Sequence, residues 1–86
     1  MGNYAITFAR SARKELENLD IDTATKIFHK IEELSIECRP QGCHKLKGDI
    51  NLWRIRMGDY RVIYAIDDKY KHVDITAIKH RSEAYR

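Results

Sequence analysis

The sequence has little of what marks secreted, membrane-spanning or disordered proteins. It has no apolar run of about 20 residues, the length that crosses a bilayer as a helix. Its N-terminus lacks the basic and then apolar segments of a secretory signal. One proline and four glycines in 86 residues, with 43% hydrophobic and 34% charged residues, are typical of a globular chain. We therefore expect one cytoplasmic domain over residues 1–86, with no membrane partner.

Cysteine is also scarce. Cys38 and Cys43 are the two thiols of the chain, and without a secretory signal the default state of a thiol is reduced. A zinc site would have to combine them with His44, and with His29 as a distant fourth ligand. Structural zinc sites usually have two close ligand pairs instead. We therefore expect no metal and no cofactor.

Positive charge is concentrated in the second half of the chain. Residues 1–43 hold six Lys/Arg and seven Asp/Glu, a net of −1, whereas residues 44–86 hold ten and six, a net of +4. Such an excess favours a polyanionic partner, but ordinary solvated surfaces are often basic too. The charge distribution leaves both interpretations open.

The first half of the chain predicts a strand and two helices. Residues 4–8 are rich in strand formers. Ser11 is the expected N-cap of a first helix with an apolar stripe at Ala12, Leu16 and Leu19. Asp22 is the expected cap of a second helix that ends near Arg39, before Pro40. The apolar side of this second helix is formed by Ala24, Ile27, Phe28, Ile31 and Leu34.

Three strands are predicted after a loop at residues 40–51, namely Leu52–Met57, Tyr60–Ile66 and about His72–Ile78. Short connections between consecutive strands predict antiparallel pairing. The predicted order is β-α-α-β-β-β, and the predicted fold class is α+β, with two N-terminal helices packed on one face of an antiparallel sheet.

Gly58 and Asp59 predict a two-residue hairpin turn of type II′, which favours glycine in its first position. This turn pairs Arg56 with Arg61, and directly paired residues point to the same face of a sheet. One face, the core face, then carries Trp53, Ile55, Met57, Tyr60, Val62, Tyr64 and Ile66. The opposite face, the arginine face, carries Arg54, Arg56 and Arg61.

Stability does not explain three arginines on one sheet face. Like charges opposite each other across strands cost up to about 1 kcal/mol, and no acidic residue of the two predicted strands lies beside them. A guanidinium presents a flat fork of donors that matches phosphate oxygens. The arginine face therefore predicts a phosphate-binding surface, with a solvated face selected for solubility as the alternative.

The last predicted strand carries two histidines whose face depends on the preceding turn. A turn at Asp68-Lys69 places His72 and His80 on the arginine face, whereas a longer loop over residues 67–71 changes the register. In the first case His80 lies near the arginines. Because imidazole titrates near neutral pH, His80 is then a candidate proton carrier.

Two segments resemble the signature of the RelE toxin family, within the RelE/ParE superfamily of type II toxin–antitoxin systems. They are LWRIRMGDYRVIYAID at residues 52–67 and KHRSEAYR at residues 79–86, supported by SARKELENLD at residues 11–20. The resemblance covers essentially the whole chain. It implies a metal-free endoribonuclease that cuts messenger RNA in the ribosomal A site. In that reaction the ribose 2′-hydroxyl attacks the adjacent phosphorus and leaves a 2′,3′-cyclic phosphate.

The resemblance also implies partners and site residues. The expected partners are a cognate antitoxin, the ribosome and its mRNA, and operator DNA only as the toxin–antitoxin complex. The family's catalytic and base-stacking positions correspond to Arg54, Arg56, Arg61 and Tyr85. Its basic position near the end of the last strand corresponds to Lys79, with His80 and Arg81 adjacent. The expected RNA contacts are Lys45, Lys47, Lys79 and Arg81.

The sequence differs from the family at the position of the general base. Relatives with lysine at the positions of Arg54 and Arg56 have a lysine assigned to that role. An arginine, with a pKa above about 12, does not readily give up its proton. The arginines are therefore expected to hold phosphate and stabilise the transition state. His80 is the first candidate for proton transfer, with Tyr85 or a ribosomal group as alternatives.

Three other functions remain open. A ParE-like relative would poison DNA gyrase, and the arginine face and the HRSEAYR tail weigh against it. A non-catalytic nucleic-acid-binding module would use the same arginines only to hold phosphates. An inert relative would persist only as an antitoxin-bound regulator.

Overall fold

The computed structural model describes residues 3–48 and 51–84. The element order is β1 (Ala5–Phe8), α1 (Arg10–Glu17), α2 (Ile21–Glu33), β2 (His44–Lys45), β3 (Leu52–Met57), β4 (Tyr60–Asp67), β5 (His72–His80) and α3 (Arg81–Ala84). The predicted α+β class and the order of the long elements are confirmed. Strand β2, inside the predicted loop, and the short helix α3 are additional. Within the described ranges no helix combines the length and the hydropathy needed to span a bilayer.

The five strands form one mixed sheet in the order β1-β5-β4-β3-β2. Strands β3, β4 and β5 are the predicted antiparallel meander. Strand β1 differs, because it pairs in parallel with β5, from Ala5 opposite His72 to Phe8 opposite Ile75. Parallel neighbours need a long connection between them. Helices α1 and α2 and strands β2 to β4, which lie between β1 and β5 in the chain, supply it.

Both predicted N-caps are wrong. Helix α1 begins at Arg10 with Ala9 as its N-cap, so Ser11 lies in the first turn. Helix α2 is capped by Asp20, whose carboxylate accepts the Thr23 N–H at 3.2 Å, and Asp22 lies in the first turn instead. An acidic residue at either position favours a helix start through the helix dipole, so the sequence pattern alone did not separate the two.

Helix α2 ends at Glu33, well before the predicted end near Arg39. Beyond it the hydrogen bonds shorten to a three-residue spacing, with Leu34 N–H to the Ile31 carbonyl at 2.9 Å and Ser35 N–H to the Glu32 carbonyl at 3.1 Å. The Ser35 carbonyl then accepts the Tyr4 N–H at 2.7 Å. This bond to the segment leading into β1 draws the chain away from the helix axis.

The core lies between the two helices and the core face of the sheet. Its fully buried side chains are Ala12, Ile27, Ile31, Leu34, Ile55, Val62, Tyr64, Ile66, Val73, Ile75 and Ile78, with Cys38 beside them. Phe28, expected in this core, is 43% exposed. It lies on the flank of α2 and lines a shallow groove with Ile6 and Phe8 of β1. Trp53 is on the core face as predicted but only half-buried, with the Arg39 guanidinium 5.0 Å from its ring centre.

Two polar contacts anchor the segment that follows α2. The buried Tyr64 hydroxyl donates to the Cys38 carbonyl at 2.9 Å, and burial raises the Tyr64 pKa. Next to it, the Arg39 guanidinium donates to both oxygens of the Asp68 carboxylate at 3.2 and 2.8 Å, and the Tyr4 hydroxyl donates to the same group at 2.7 Å. These hydrogen bonds lower the pKa of Asp68 to about 2. They tie the β4–β5 loop to the chain ahead of β2.

Replacing Tyr64 by phenylalanine should destabilise the protein. The substitution leaves the Cys38 carbonyl without its donor in a buried place, which typically costs about 1–3 kcal/mol. In a domain of this size each kcal/mol lowers Tm by about 4–8 °C. The matched control is Tyr70→Phe, because Tyr70 is 73% exposed. Thermal denaturation of both variants checks this, and equal Tm values for the two would contradict it.

Acid should weaken the contact at Asp68. Its folded pKa of about 2 lies below the usual value of 3.8 for an aspartate, so its contribution to stability is present above about pH 4 and lost as the pH falls towards 2. We expect Asp68→Asn to lower Tm above about pH 4, with the difference from wild type disappearing near pH 2. The measurement is Tm of both proteins across this range. A difference in Tm that does not change with pH would show that the charge of Asp68 does not stabilise the fold.

Candidate functional site

The register of the β3–β4 hairpin puts the arginines on one face. Gly58 has a φ of 60°, as the first position of a type II′ turn requires, and Arg56 lies directly opposite Arg61. The predicted pairing is confirmed. The three arginines therefore lie on the sheet face opposite the core, two of them as a direct cross-strand pair.

A β-bulge in β5 decides which residues of the last strand join them. Ile63 pairs with Ala77 and Tyr64 with Ile75, so Thr76 is the extra residue, and its hydroxyl donates to the Ile63 carbonyl at 3.1 Å. One inserted residue moves the following side chains to the other face. As a result Lys79 lies opposite Arg61, on the arginine face.

The predicted position of His80 beside the arginines is wrong. His80 pairs with Tyr60 on the core face, and the two rings meet edge to face with centroids 5.3 Å apart. Its Nδ1 accepts the Ser82 N–H at 3.2 Å and lies 2.9 Å from the Ser82 hydroxyl. The physical reason is the bulge at Thr76. The loop over residues 68–71 is longer than the expected two-residue turn, but it leaves His72, which pairs with Asp67, on the same face as Arg61.

A cleft of about 400 Å³ opens at the β3 edge of the arginine face. Strand β2 pairs only with Trp53 and Arg54, and the cleft lies beside this short pairing. Its described lining residues are Lys30, Gln41, Gly42, His44, Arg54, Ile55, Arg56 and Arg61. We call it the arginine cleft. Four fixed cations and one imidazole surround it, with no carboxylate among these residues, so it is suited to an anion.

The three arginines reach the cleft from different depths. Arg56 is exposed, Arg54 is half-buried, and Arg61 is only 2% exposed, with one guanidinium nitrogen 3.4 Å from the Tyr60 carbonyl that it donates to. The burial of Arg61 was not expected from the sequence. Within residues 3–48 and 51–84 no ion pair joins Arg54 or Arg56 to a carboxylate. These two guanidinium groups are therefore available to an incoming anion.

Lys79 adds a fourth basic residue to the arginine face, but it forms an ion pair with Glu15. Its ammonium lies 2.5 Å from one carboxylate oxygen of Glu15 in α1, and the other oxygen accepts the Ile78 N–H at 2.8 Å. Glu15 thus satisfies a backbone donor at the edge of β5 and reduces the positive charge next to Arg61. Lys79 is on the arginine face but does not line the cleft.

The other predicted RNA contacts lie outside the cleft. Lys45 pairs with Trp53, and its ammonium lies 6.0 Å from the centre of that ring, so it shares the core face. Lys47 is exposed in the turn after β2. Arg81 forms an ion pair with Asp59 at 3.8 Å. Tyr85 lies outside the described residues.

Sequence reasoning missed two lining residues, Lys30 and His44. Lys30 was one of several polar residues on α2, with no signal to distinguish it. His44 was considered only as a zinc ligand, because β2 was not recognised as a strand. The available signal was the alternation of His44 and Lys45, which lie opposite Arg54 and Trp53. Such an alternation indicates a strand that pairs with β3. Cys38 and Cys43 are free thiols, and across the described ranges no three His, Cys, Asp or Glu side chains are grouped as metal ligands.

Comparison with known proteins agrees with this architecture. Residues 6–85 match the family model of the ParE toxin of type II toxin–antitoxin system, parDE. Toxin RelG of Mycobacterium tuberculosis is 30% identical over 84 residues, which is 96% of this chain and 97% of that toxin. Toxin RelE of the same organism is 50% identical over 42 residues, but this match covers only 48% of the chain and 43% of that toxin.

A solved structure shows the same fold. The archaeal RelE–RelB complex of Pyrococcus horikoshii OT3 matches with a TM-score of 0.82 and 30% identity, covering 92% of this chain and 96% of that one. The family match spans nearly the whole chain, and the similarity to RelG is of the same extent. The chain therefore belongs to the RelE/ParE superfamily and is a RelE-like toxin of a type II toxin–antitoxin system.

Proposed function

We propose that the protein is a metal-free endoribonuclease that cuts messenger RNA in the A site of the ribosome and so inhibits translation. The arginine cleft is the observation that carries this proposal. In the reaction the ribose 2′-oxygen attacks the adjacent phosphorus, the bond to the 5′-oxygen breaks, and a 2′,3′-cyclic phosphate remains on the upstream fragment. The four cations of the cleft suit the phosphate that reacts.

The arginines have the properties that this reaction needs from a charge-stabilising group. The attacked phosphate gains negative charge in the transition state, and donors already in place stabilise that charge at no reorganisation cost. Arg61 is fixed by burial, whereas Arg54 and Arg56 have no carboxylate partner among the described residues. We assign all three to holding the phosphate and stabilising the transition state.

The ribosome is the proposed source of substrate alignment. Arginine is a poor proton acceptor, so the three arginines alone do not activate the 2′-hydroxyl. Holding the reacting groups in line lowers such a barrier by several kcal/mol. An RNA already positioned in the decoding site meets this need, which supports dependence on the ribosome.

The proposed cellular partners follow from the family. The Pyrococcus horikoshii relative was solved as a RelE–RelB complex, which supports a cognate antitoxin for this chain. We propose that the pair acts in the cytoplasm. We propose that operator DNA is bound only by the toxin–antitoxin complex.

Gyrase poisoning is the second candidate function, because the family model that the chain matches carries the ParE description. The two functions leave different products. Purified toxin added to translating ribosomes should cut mRNA, and toxin added to gyrase with plasmid should leave the DNA unbroken. Gyrase-dependent DNA breaks with intact mRNA would favour the second candidate instead.

Replacing Arg56 by alanine should remove most of the activity and leave the fold intact. Arg56 is exposed and lines the cleft, and loss of one charge-stabilising donor typically costs about 10²–10³-fold in rate. The matched control is Arg10→Ala, an exposed arginine at the start of α1. Single-turnover cleavage on programmed ribosomes, with Tm of both variants, tests this. Equal rates for the two variants would show that Arg56 takes no part.

Chelation should not affect the toxin. Since the proposed chemistry uses side chains only, toxin treated with EDTA and assayed on ribosomes resupplied with magnesium should cut mRNA at the untreated rate. The control is the same treatment of a metal-dependent ribonuclease. Stoichiometric zinc in the purified toxin, with activity lost on its removal, would contradict the proposal.

A further inference from the structure

We infer that His44 accepts the proton of the 2′-hydroxyl in the arginine cleft. This inference rests on the proposed ribonuclease function and supplies the proton acceptor that the arginines lack. Of the residues that line the cleft, the others with ionisable side chains are Lys30 and the three arginines. Imidazole is the side chain that exchanges a proton most readily near neutral pH.

The strand pairing places His44 next to the phosphate-binding groups. His44 lies directly opposite Arg54 in the β2–β3 pair, so the two side chains share the arginine face. Cβ atoms of such a pair are typically about 4.5–5.5 Å apart. A phosphate held by the Arg54 guanidinium is therefore within reach of the imidazole. His44 is exposed, which leaves it accessible to RNA.

A tight turn fixes where β2 begins. The Cys43 N–H donates to the Pro40 carbonyl at 3.0 Å, and Gly42 within this turn has a φ of 92°, a conformation that side chains disfavour. Gln41 and Gly42 of the same turn line the cleft. The backbone geometry of this turn therefore sets the position of His44 in the cleft.

The other three histidines of the chain are elsewhere. His80 packs against Tyr60 on the core face. His72 lies 2.6 Å from the Thr7 hydroxyl at the opposite end of β5. His29 is exposed on α2, 3.3 Å from Glu32. Among the four histidines, His44 alone lines the cleft.

The proton balance of the step is simple. As the 2′-oxygen bonds to phosphorus, its proton passes to the neutral imidazole of His44. The bond between phosphorus and the 5′-oxygen breaks, and the 5′-oxygen takes a proton from water. The imidazolium then gives its proton to the hydroxide that remains. Among the described residues that line the cleft with His44, the charged ones are all basic, namely Lys30 from α2, Arg54 and Arg56 from β3, and Arg61 from β4.

The test is the pH dependence of single-turnover mRNA cleavage on programmed ribosomes. Wild-type cleavage should rise with pH and then level off, as is expected when one general base accepts the proton. His44→Gln should slow cleavage by at least about 10²-fold, abolish that rise, and leave ribosome binding within about threefold of wild type. The matched control is His29→Gln, which should behave as wild type. Added imidazole should restore part of the activity of His44→Ala.

The outcomes separate this inference from the proposed function. Cleavage by His44→Gln within about threefold of wild type at every pH overturns the inference and leaves the ribonuclease proposal standing. A slow His44→Gln that keeps the wild-type pH dependence, with no imidazole rescue of His44→Ala, shows a structural role and also overturns it. A wild-type toxin that leaves mRNA intact on ribosomes overturns the proposed function and this inference together.

Discussion

The alignment of β4 between its two neighbours is the constraint on which the rest of the structure depends. On one side the Gly58 turn sets Arg56 opposite Arg61. On the other side the bulge at Thr76 sets Lys79, and not His80, opposite Arg61. A shift of one residue in either pairing would exchange basic and apolar side chains between the two faces. The same alignment thus builds the core on one side of the sheet and the cleft on the other.

The chain between α2 and β3 connects the stable part of the fold to the arginine cleft. That chain is anchored at Cys38 by the buried Tyr64 hydroxyl and at Arg39 by the Asp68 carboxylate. It then supplies Gln41, Gly42 and His44 to the wall of the cleft. A short two-residue strand would be a poor support alone. The two neighbouring anchors at Cys38 and Arg39, just before the loop, give the cleft wall a defined position relative to the arginines of β3.

The sequence predicted what depends on local pattern and missed what depends on distant contacts. The hairpin at Gly58-Asp59 and the shared face of Arg54, Arg56 and Arg61 were predicted, because a two-residue turn fixes its own register. The bulge at Thr76 was not predicted, although the buried residues Ile75 and Ile78 are three positions apart and so break the alternation of β5. His80 was therefore placed on the wrong face. Strand β2 was missed because it exists only through its pairing with β3. The burial of Arg61 was not predicted either, because the hairpin register gives the face of a side chain and not its exposure.

A RelE-like toxin with arginines in place of a basic lysine has to separate charge stabilisation from proton transfer. In the proposed reaction the arginine cleft supplies the first, and attack by the 2′-hydroxyl leaves one form of product. The most direct test is the chemical identity of the new 3′ end after mRNA on programmed ribosomes is treated with the toxin, measured by mass spectrometry of the upstream fragment. A 2′,3′-cyclic phosphate at a cut within the A-site codon is the predicted result. A 3′-hydroxyl end, or intact mRNA, would contradict it.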